Sequence, residues 1–354
     1  MDSIITSNST THFDERAYQE LNTYIADKAP SVIFLLVDSN TMEHCYPHFM
    51  PMLETSARIE VIEIDAGEEF KNIETCSGVW AAMIELGCDR QSLMINLGGG
   101  VVTDLGGFVA STIKRGIDFI HIPTTVLGMV DAAIGGKNGV DLGHLKNQVG
   151  VIQPPVMTLI DTNFLQTLPK KHLRNGSIEM FKHGLIADRD YWQKMLLINS
   201  QYYTDRFDSL IHGSVEIKSG IVQDDPTEKG ARKALNYGHT IGHAIESYCL
   251  SSDKHVNLLH GEAIAIGIYL ESFLSTKHSG LSRAEFEEIE NWYQPLELSA
   301  SFSDSEVDEM IDIMSHDKKN VNGQIRFVLL EKIGTFKTDV HLQAQQIKKA
   351  FELL

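Results

Sequence analysis

The second half of the chain carries side chains that could bind a divalent metal ion. His239 and His243 are four residues apart in NYGHTIGHAIE, and in a helix this spacing places them on one face. His260 follows in LLHGEA, and Glu179 belongs to a predicted helix. Two histidines, one carboxylate and an open position are typical of a catalytic metal site. The spacing leaves open which three of Glu179, His239, His243, His260 and Glu262 are ligands, and a histidine pair that merely packs within a helix is the alternative.

Basic residues of the same half could surround an anionic ligand. Lys182 follows Glu179 by three residues and therefore shares its helical face. The further basic candidates are Lys218, Arg232 and Lys319. Each of them alone is expected to be a solvated surface charge. Together with a glycine-rich stretch in the first half of the chain, they could enclose one small molecule that carries several negative charges.

The glycine-rich stretch, residues 98–150, contains 12 of the 27 glycines and is electrically neutral in a chain of net charge −18. Its first three residues, Gly98–Gly100, stand between a predicted strand and a predicted helix, where free backbone N–H groups could bind a pyrophosphate. Thr103 occupies the third glycine position of the usual dinucleotide fingerprint, so a purely structural turn is the alternative. Asp38 and Asn40, after the first predicted strand, could bind ribose hydroxyls or serve a turn.

The pattern of elements divides the chain into two parts. Apolar or alternating runs that predict strands alternate with helical segments in the first part, as in parallel βαβ units. These runs are Ser31–Asp38, Ile59–Ile64, Ser92–Leu97, Asp118–Ile122 and Val156–Ile160. Helical periodicity dominates from Pro169 to Ser315, and only Ile325–Leu330 looks extended. The sequence therefore predicts an α/β domain with a Rossmann-like parallel sheet over residues 1–168, and a mainly α-helical domain over residues 169–354.

Composition excludes several classes of partner. The hydrophobic content of 43% and the charged content of 22% are those of a globular protein. The acidic balance argues against binding to nucleic acid or to an anionic membrane. The four cysteines form no Cys-x-x-Cys pair, the N-terminal residues do not resemble a signal peptide, and no apolar run is long enough to span a bilayer. A soluble, cytoplasmic protein with a small-molecule ligand is expected.

Seven segments, in this order, resemble the 3-dehydroquinate synthases, the shikimate-pathway family of the sugar phosphate cyclases. They are GGGVVTDLGGFVAS, KRGIDFIHIPTT, DAAIGGKNGVDLGHLKNQVG, SIEMFKHG, ARKALNYGHTIGHAIE, LLHGEAIAIG and HDKKNVNGQIRFVLL. The resemblance extends from about residue 31 to residue 335. It implies an N-terminal α/β domain that binds NAD and a C-terminal α-helical domain that holds a metal ion, commonly zinc, with cobalt as the alternative.

The resemblance also implies roles for individual residues. It makes Glu179, His239 and His260 the metal ligands and places His243 beside the metal. Positions that match NAD contacts are Asp38, Asn40, Glu68, Lys71, Gly99, Gly100, Val101, Asp104, Thr124 and Thr125. Positions that match catalytic residues are Lys137, Lys182, Lys218, Arg232, Asn236 and His243, and those that match other substrate contacts are Asp131, Lys146, Asn147 and Lys319. Arg115 matches a phosphate-binding arginine that family members supply across a dimer interface, so a homodimer is implied.

Three departures from the common family pattern fall near these positions. Asn138 stands where threonine is usual, and His183 stands where tyrosine is common. Asp141 and the short link 142–145 replace a more usual asparagine and a proline-containing loop.

The reaction implied by the resemblance converts 3-deoxy-D-arabino-heptulosonate 7-phosphate to 3-dehydroquinate and phosphate, within the shikimate pathway of aromatic amino acid and chorismate biosynthesis. A transient oxidation by NAD, elimination of phosphate, re-reduction and intramolecular aldol closure follow one another. The alternatives are another sugar phosphate cyclase and an NAD- and metal-dependent polyol or glycerol-phosphate dehydrogenase. A non-catalytic binder of sugar phosphates or nucleotides is a further alternative. Net redox separates the first two classes, because a dehydrogenase accumulates NADH whereas a cyclase releases phosphate without it.

Overall fold

The structure is a computed structural model that describes residues 1–143, 145–198, 205–252, 254–298, 300–315 and 325–354. The elements in chain order are β1 (Ile4–Ile5), β2 (Thr10–Phe13), α1 (Asp14–Lys28), β3 (Val32–Asp38), α2 (Ser39–His44), α3 (Tyr46–Phe49), β4 (Arg58–Ile64), α4 (Ile73–Glu85), β5 (Leu93–Gly98), α5 (Gly100–Thr112), β6 (Asp118–Pro123), β7 (Lys137–Leu142), β8 (Leu145–Ile152), β9 (Met157–Ile160), α6 (Lys170–Ala187), α7 (Arg189–Leu196), α8 (Asp205–Asp224), α9 (His239–Ser251), α10 (His260–His278), α11 (Arg283–Tyr293), α12 (Asp304–Ser315), β10 (Arg326–Lys332), β11 (Thr335–His341) and α13 (Ala344–Phe351).

The chain folds into two compact units. Unit 1 comprises residues 1–176 and 203–223, and unit 2 comprises residues 177–202 and 224–354. The sequence predicts a single boundary after residue 168, whereas the first segment of unit 1 ends at residue 176 and α8 returns to unit 1. Contacts of α8 explain this return: the His212 ring packs 4.7 Å from that of Phe13, and the Lys218 ammonium pairs with the Asp131 carboxylate.

Unit 1 is built on a seven-stranded sheet with the strand order β1-β2-β9-β6-β5-β3-β4. All its neighbouring strands are parallel except β1 and β2, which are antiparallel. The five strands expected from apolar or alternating runs appear as β3, β4, β5, β6 and β9, and the expected parallel sheet is confirmed. The N-terminal strands β1 and β2, and an antiparallel hairpin formed by β7 and β8, were not expected.

The core of unit 1 lies where the sheet faces α4 and α5. Strand side chains such as Phe34 and Met94 are fully buried there, as are Met83 of α4 and Leu105 of α5. Burying one such side chain contributes about 1.5–3 kcal/mol, so this cluster is a main source of the unit's stability. Because β3 and β5 are covered on both sides, their sequences read as continuous apolar runs.

Unit 2 is mainly helical, as the sequence predicts, with a single described hairpin of β10 and β11. Its centre is the packing of α9 against α10, which glycines make possible. A Cβ added at Gly267 would lie 1.9 Å from the carbonyl oxygen of Gly238, so the two backbones approach too closely for any other residue. None of the described helices combines the length and the apolar composition needed to cross a membrane.

Candidate functional site

Three histidines and a carboxylate come together in unit 2. His239 is the first residue of α9, His243 lies one turn later, and His260 is the first residue of α10. One nitrogen from each ring lies within 4.8 Å of the other two. The Oε1 atom of Glu179, which is fully buried on α6, lies 3.6 Å from His239 Nε2 and 3.7 Å from His260 Nε2. The four candidates that the sequence places on three separate segments therefore converge on one point.

Hydrogen bonds at the other ring nitrogen orient two of these histidines. His239 Nδ1 lies 3.1 Å from the carbonyl oxygen of Tyr237, and His260 Nδ1 lies 3.2 Å from Glu246 Oε2. A backbone carbonyl or carboxylate behind Nδ1 is the usual arrangement for a metal-binding histidine, because it leaves Nε2 as the ligand atom. Both Nε2 atoms face Glu179, so a carboxylate oxygen and two imidazole nitrogens form a donor set that fits Zn²⁺ or Co²⁺.

The start of α9 is held in place by a buried carboxylate on α10. Glu271 is fully buried, and its two oxygens accept hydrogen bonds from the backbone N–H groups of Gly238, at 2.7 Å, and Ile241, at 3.1 Å. Negative charge at a helix N-terminus satisfies backbone donors and is favoured by the helix dipole. Glu271 thereby fixes the turn that presents His239. Glu262, the fifth metal candidate, instead accepts a 2.9 Å hydrogen bond from the backbone of Leu259 at the start of α10.

Two buried cations of unit 2 lie on α6 and on the turn that precedes α9. Lys182 is 1% exposed, forms an ion pair with Glu179 Oε2 and donates a 2.8 Å hydrogen bond to the carbonyl of Leu235. Arg232 is 2% exposed and donates to the carbonyl of Pro226 at 2.8 Å. Asn236 donates a 2.6 Å hydrogen bond to Glu228. Three residues expected to contact the substrate thus have defined positions on or beside the turn 231–236 that precedes α9.

In unit 1 the candidate nucleotide residues gather at one edge of the sheet. Strand β3 ends at Asp38, β5 ends at Gly98, and Thr124 directly follows β6. These strands are neighbours and run parallel, so their carboxyl ends lie side by side, where α/β sheets bind nucleotides. Gly99 caps the N-terminus of α5, whose first N–H groups are suited to a pyrophosphate. The Asp38 carboxylate accepts from the backbone of Thr41 and caps α2, which is the turn role considered for it from the sequence.

Lys71 connects helix α5 and strand β8 of unit 1 through its ammonium group. It is 5% exposed, and its ammonium lies 2.6 Å from Asp104 Oδ2 of α5 and 2.8 Å from Asn147 Oδ1 of β8. Burial alone would lower the pKa of Lys71, but the carboxylates of Asp104 and Glu68 outweigh it and raise that pKa above its usual value. The lysine is therefore charged at neutral pH and is held as a fixed cation.

Two further ion pairs place candidate substrate residues in unit 1. Lys146 belongs to the same β7–β8 hairpin as Lys137 and Asn147, and its ammonium lies 2.8 Å from Glu68 Oε1. The Lys218 ammonium lies 2.5 Å from Asp131 Oδ1 and 2.6 Å from the carbonyl oxygen of the same residue. Asp131 belongs to a π-helical turn, Gly128–Ala132, a conformation that is frequent at functional sites.

One expected residue, Arg115, lies away from these groups. Arg115 follows α5 at the end opposite Gly100, about 20 Å along a helix of this length. Lys114 and Arg115 have positive φ angles of 52° and 70°, so the exposed Arg115 is displayed by a tight left-handed turn. Lys319 lies outside the described residues.

Sequence reasoning missed the residues that support the site. Glu246 stands three residues after His243, and this helical spacing was an available sign of a carboxylate near the histidines. Nothing in the sequence marked Glu271, because its partners are backbone groups of another helix. A buried polar set of Asn96, His121 and Asn138 in unit 1 was also missed.

Comparison with known proteins gives the same family for both parts of the chain. The 3-dehydroquinate synthase N-terminal family model matches residues 61–175, and the 3-dehydroquinate synthase C-terminal family model matches residues 176–320. A 3-dehydroquinate synthase from Parabacteroides distasonis is 38% identical over 335 residues, which cover 94% of this chain and 94% of that protein.

Solved structures share the fold. A 2-epi-5-epi-valiolone synthase from Streptomyces hygroscopicus subsp. jinggangensis, with NAD⁺ and Zn²⁺ bound, has a TM-score of 0.84 and 27% identity, and covers 100% of this chain and 98% of its own. A 2-deoxy-scyllo-inosose synthase in complex with carbaglucose-6-phosphate, NAD⁺ and Co²⁺ has a TM-score of 0.87 and 24% identity, with 99% of both chains covered. The two family models and the whole-length relative lead to one conclusion: the chain belongs to the 3-dehydroquinate synthase family.

Proposed function

We propose that this protein is a 3-dehydroquinate synthase, a carbon–oxygen lyase that converts 3-deoxy-D-arabino-heptulosonate 7-phosphate to 3-dehydroquinate and phosphate. The observation that carries the proposal is the whole-length relationship to a 3-dehydroquinate synthase. The residues support it, because each motif position within the described part of the chain has a side chain suited to its role. The product serves the shikimate pathway of aromatic amino acid biosynthesis.

The metal ion would be held by Glu179, His239 and His260. The approach of both Nε2 atoms to Glu179 Oε1, at 3.6 Å and 3.7 Å, supports these three residues as one ligand set. A nitrogen of His243 also lies within 4.8 Å of nitrogens of His239 and His260, and the family resemblance, not this geometry, assigns it a place beside the metal. NAD would be held at the carboxyl edge of the unit 1 sheet, by the glycine turn at α5 and by residues that follow β3 and β6. When bound, NAD supplies a reversible hydride acceptor and the metal ion supplies a Lewis acid.

The chain's own part in the reaction is to bind and orient a substrate with a carboxylate and a phosphate. Fixed ammonium and guanidinium groups suit these two anions. The residues proposed for this task are Lys137, Lys146, Asn147, Lys182, Lys218, Arg232, Asn236 and Lys319. Several of these cations are already paired with carboxylates or carbonyls, which fixes their positions before substrate arrives. Such preorganisation lowers the cost of orienting the reacting groups.

A homodimer and a cytoplasmic location complete the proposal. Arg115 is exposed and lies far from the glycine turn along α5, which supports its use by a second subunit. The four cysteines are buried free thiols, as expected for a reducing compartment.

The decisive experiment mixes the purified protein with NAD, a divalent metal and the seven-carbon phosphate, and follows inorganic phosphate and NADH together. Phosphate release without NADH accumulation is expected. Net formation of NADH would instead identify a dehydrogenase. Release of phosphate from glucose 6-phosphate or from a seven-carbon sugar phosphate that lacks the carboxylate, but not from the acid, would identify another sugar phosphate cyclase.

A further inference from the structure

Helix α9, which begins with the metal candidate His239, has no capping side chain of its own. Its N-cap residue is Gly238, whose φ of 78° and ψ of −12° are left-handed. A Cβ at this position would lie 2.6 Å from Ile268 Cγ1 of α10, so the serine, threonine or aspartate that usually caps a helix does not fit there. The first backbone N–H groups of α9 therefore need an acceptor from another element.

Glu271 of α10 supplies that acceptor. It is fully buried, and its Oε2 accepts from the N–H of Gly238 at 2.7 Å while its Oε1 accepts from the N–H of Ile241 at 3.1 Å. Ile241 is the third residue of α9, which is a position that an N-cap side chain ordinarily serves. A carboxylate from the next helix thus takes the place of the missing cap.

One peptide group connects Glu271 to the His239 ring. The N–H of Gly238 and the carbonyl of Tyr237 are the two ends of this group, which is trans, so they point in opposite directions. The N–H donates to Glu271, and the carbonyl oxygen lies 3.1 Å from His239 Nδ1. Because a carbonyl oxygen only accepts, Nδ1 donates to it. The lone pair of His239 is then on Nε2, which lies 3.6 Å from Glu179 Oε1.

Other hydrogen bonds also hold this turn. The N–H of Tyr237 donates to the carbonyl of Ala234 at 3.0 Å, and the Tyr237 hydroxyl lies 2.5 Å from Ser272 Oγ. The position of the turn therefore does not depend on Glu271 alone, and the specific contribution of this residue has to be sought in its charge.

The charge of Glu271 acts on the end of the peptide group opposite to His239. Hydrogen bonds to a charged acceptor are stronger than those between neutral groups, and hydrogen bonds in series polarise one another. Donation to Glu271 therefore makes the Tyr237 carbonyl a stronger acceptor for the Nδ1 hydrogen. A stronger acceptor behind the ring raises the basicity of the nitrogen that binds a metal and fixes the ring orientation.

We infer that Glu271 is a positioning residue that strengthens metal binding by His239 through the peptide group between Tyr237 and Gly238. The inference rests on the proposed function only in that it takes His239 as a metal ligand. Glu271 is not itself a ligand in the proposed set and acts through this peptide group.

Glu271→Gln and a matched control at the next position of α10 test this role. Glutamine keeps the size of the side chain, but it has no charge and only one oxygen, so it can accept from one of the two N–H groups at most. Ser272→Ala is the control, because Ser272 is equally buried and its loss removes the 2.5 Å hydrogen bond to the Tyr237 hydroxyl. The Zn²⁺ affinity of each metal-free protein is measured by competition with a chelator, without NAD or substrate, and thermal unfolding compares their stabilities.

Glu271→Gln is expected to weaken Zn²⁺ binding about tenfold, as substitutions behind a metal ligand commonly do. Ser272→Ala should lower the melting temperature and keep the Zn²⁺ affinity within about threefold of the wild type. A Zn²⁺ affinity of Glu271→Gln within about threefold of the wild type, or an equal loss of affinity in Ser272→Ala, would overturn the inference.

If Glu271→Gln does not fold, amide hydrogen exchange of the wild type decides. Coupling between two sites is reciprocal, so Zn²⁺ must strengthen the hydrogen bond from Gly238 to Glu271 by the factor with which Glu271 strengthens Zn²⁺ binding. The N–H of Leu259 is the comparison, because it also adjoins a proposed ligand, His260, and also donates to a carboxylate. Zn²⁺ should slow exchange about tenfold at Gly238 and less than about threefold at Leu259. Equal slowing at both would indicate general ordering of the ligands and overturn the inference.

Zn²⁺ binding does not require turnover, so the inference and the proposed function can fail separately. A wild type that binds Zn²⁺ with the expected dependence on Glu271 but releases no phosphate would refute the proposed function alone. A wild type that releases phosphate, with a Glu271→Gln variant of unchanged Zn²⁺ affinity, would overturn the inference alone.

Discussion

The Asp141 carboxylate accepts a 2.6 Å hydrogen bond from the backbone N–H of Asn147, whose φ angle of 51° lies in the left-handed region. The same carboxylate lies 3.8 Å from the Lys146 ammonium. One side chain thus supports an unfavourable backbone conformation and adds charge beside a cation. These two functions can be separated by substitution.

Asp141→Asn keeps an oxygen that can accept from Asn147 and removes only the charge, whereas Asp141→Ala removes both. We expect the alanine variant to lower the free energy of unfolding by about 1–3 kcal/mol, because it leaves the left-handed Asn147 unsupported. The asparagine variant should lose less than about half of that. Urea denaturation of both proteins measures the difference. Equal losses would show that the charge, and not the hydrogen bond, is what stabilises the turn.

Metal retention distinguishes the ligands from their neighbour. His260→Ala removes a ring whose Nε2 faces Glu179, and we expect loss of bound metal together with loss of turnover. His243→Ala should retain metal and lose activity, because the proposed ligand set remains complete without it. Elemental analysis of dialysed proteins gives the metal content, and circular dichroism checks the fold. Metal-free His243→Ala would move that residue into the ligand set.

The ion pair between Lys71 and Asp104 is largely buried, so removal of one partner should destabilise the folded protein. Lys71→Met leaves the Asp104 carboxylate buried without its cation, and a loss of about 3–5 kcal/mol in the free energy of unfolding is expected. The double variant Lys71→Met with Asp104→Asn should recover much of that loss, since no uncompensated charge remains. Denaturant unfolding of the two single variants and the double variant completes the cycle. Additive losses would indicate that the two side chains do not interact.

We expect the buried His121 ring to make the protein less stable at acid pH. Its pKa is about 4 in the folded protein because of burial, against 6.5 for the unperturbed group. Between these values unfolding takes up a proton, so the free energy of unfolding falls as the pH is lowered from about 6.5 to 4, by up to about 3 kcal/mol from this group. His121→Gln lacks this proton uptake. The free energy of unfolding of the wild type minus that of the variant should therefore decrease toward acid pH. If this difference did not depend on pH, the His121 ring would titrate in the folded protein as it does in the unfolded chain.

The sequence predicted the elements that have a strong local signal. Strands β3 and β5 were recognisable because strands covered on both faces are continuously apolar, and α10 because its helical pattern is long. The hairpin of β7 and β8 was missed because glycine, lysine and asparagine residues interrupt its sequence and no apolar run marks it. Membership of α8 in unit 1 depends on contacts with residues far away in sequence, which periodicity does not reveal.

The candidate site was predictable in residue type but not in geometry. A spacing of four residues placed His239 and His243 on one face, and it could not show which ring nitrogens face Glu179. That orientation is set by the Tyr237 carbonyl and the Glu246 carboxylate, which are tertiary or backbone partners. The family resemblance supplied the ligand set, and that set remains a prediction until metal binding is measured.

The division of unit 1 into two segments has a consequence for how the protein is made. A ribosome releases residues 1–176 first, then the opening residues of unit 2, and only afterwards α8. The ion pair between Asp131 and Lys218 can therefore form only after a further 87 residues have been synthesised. Although nascent chains usually complete their N-terminal domain first, the sheet of this protein can form early while its last helix is still missing. A translational pause before residue 218 would leave a nascent chain that has made its proposed nucleotide-binding turn and lacks Lys218, one of its proposed substrate-binding lysines.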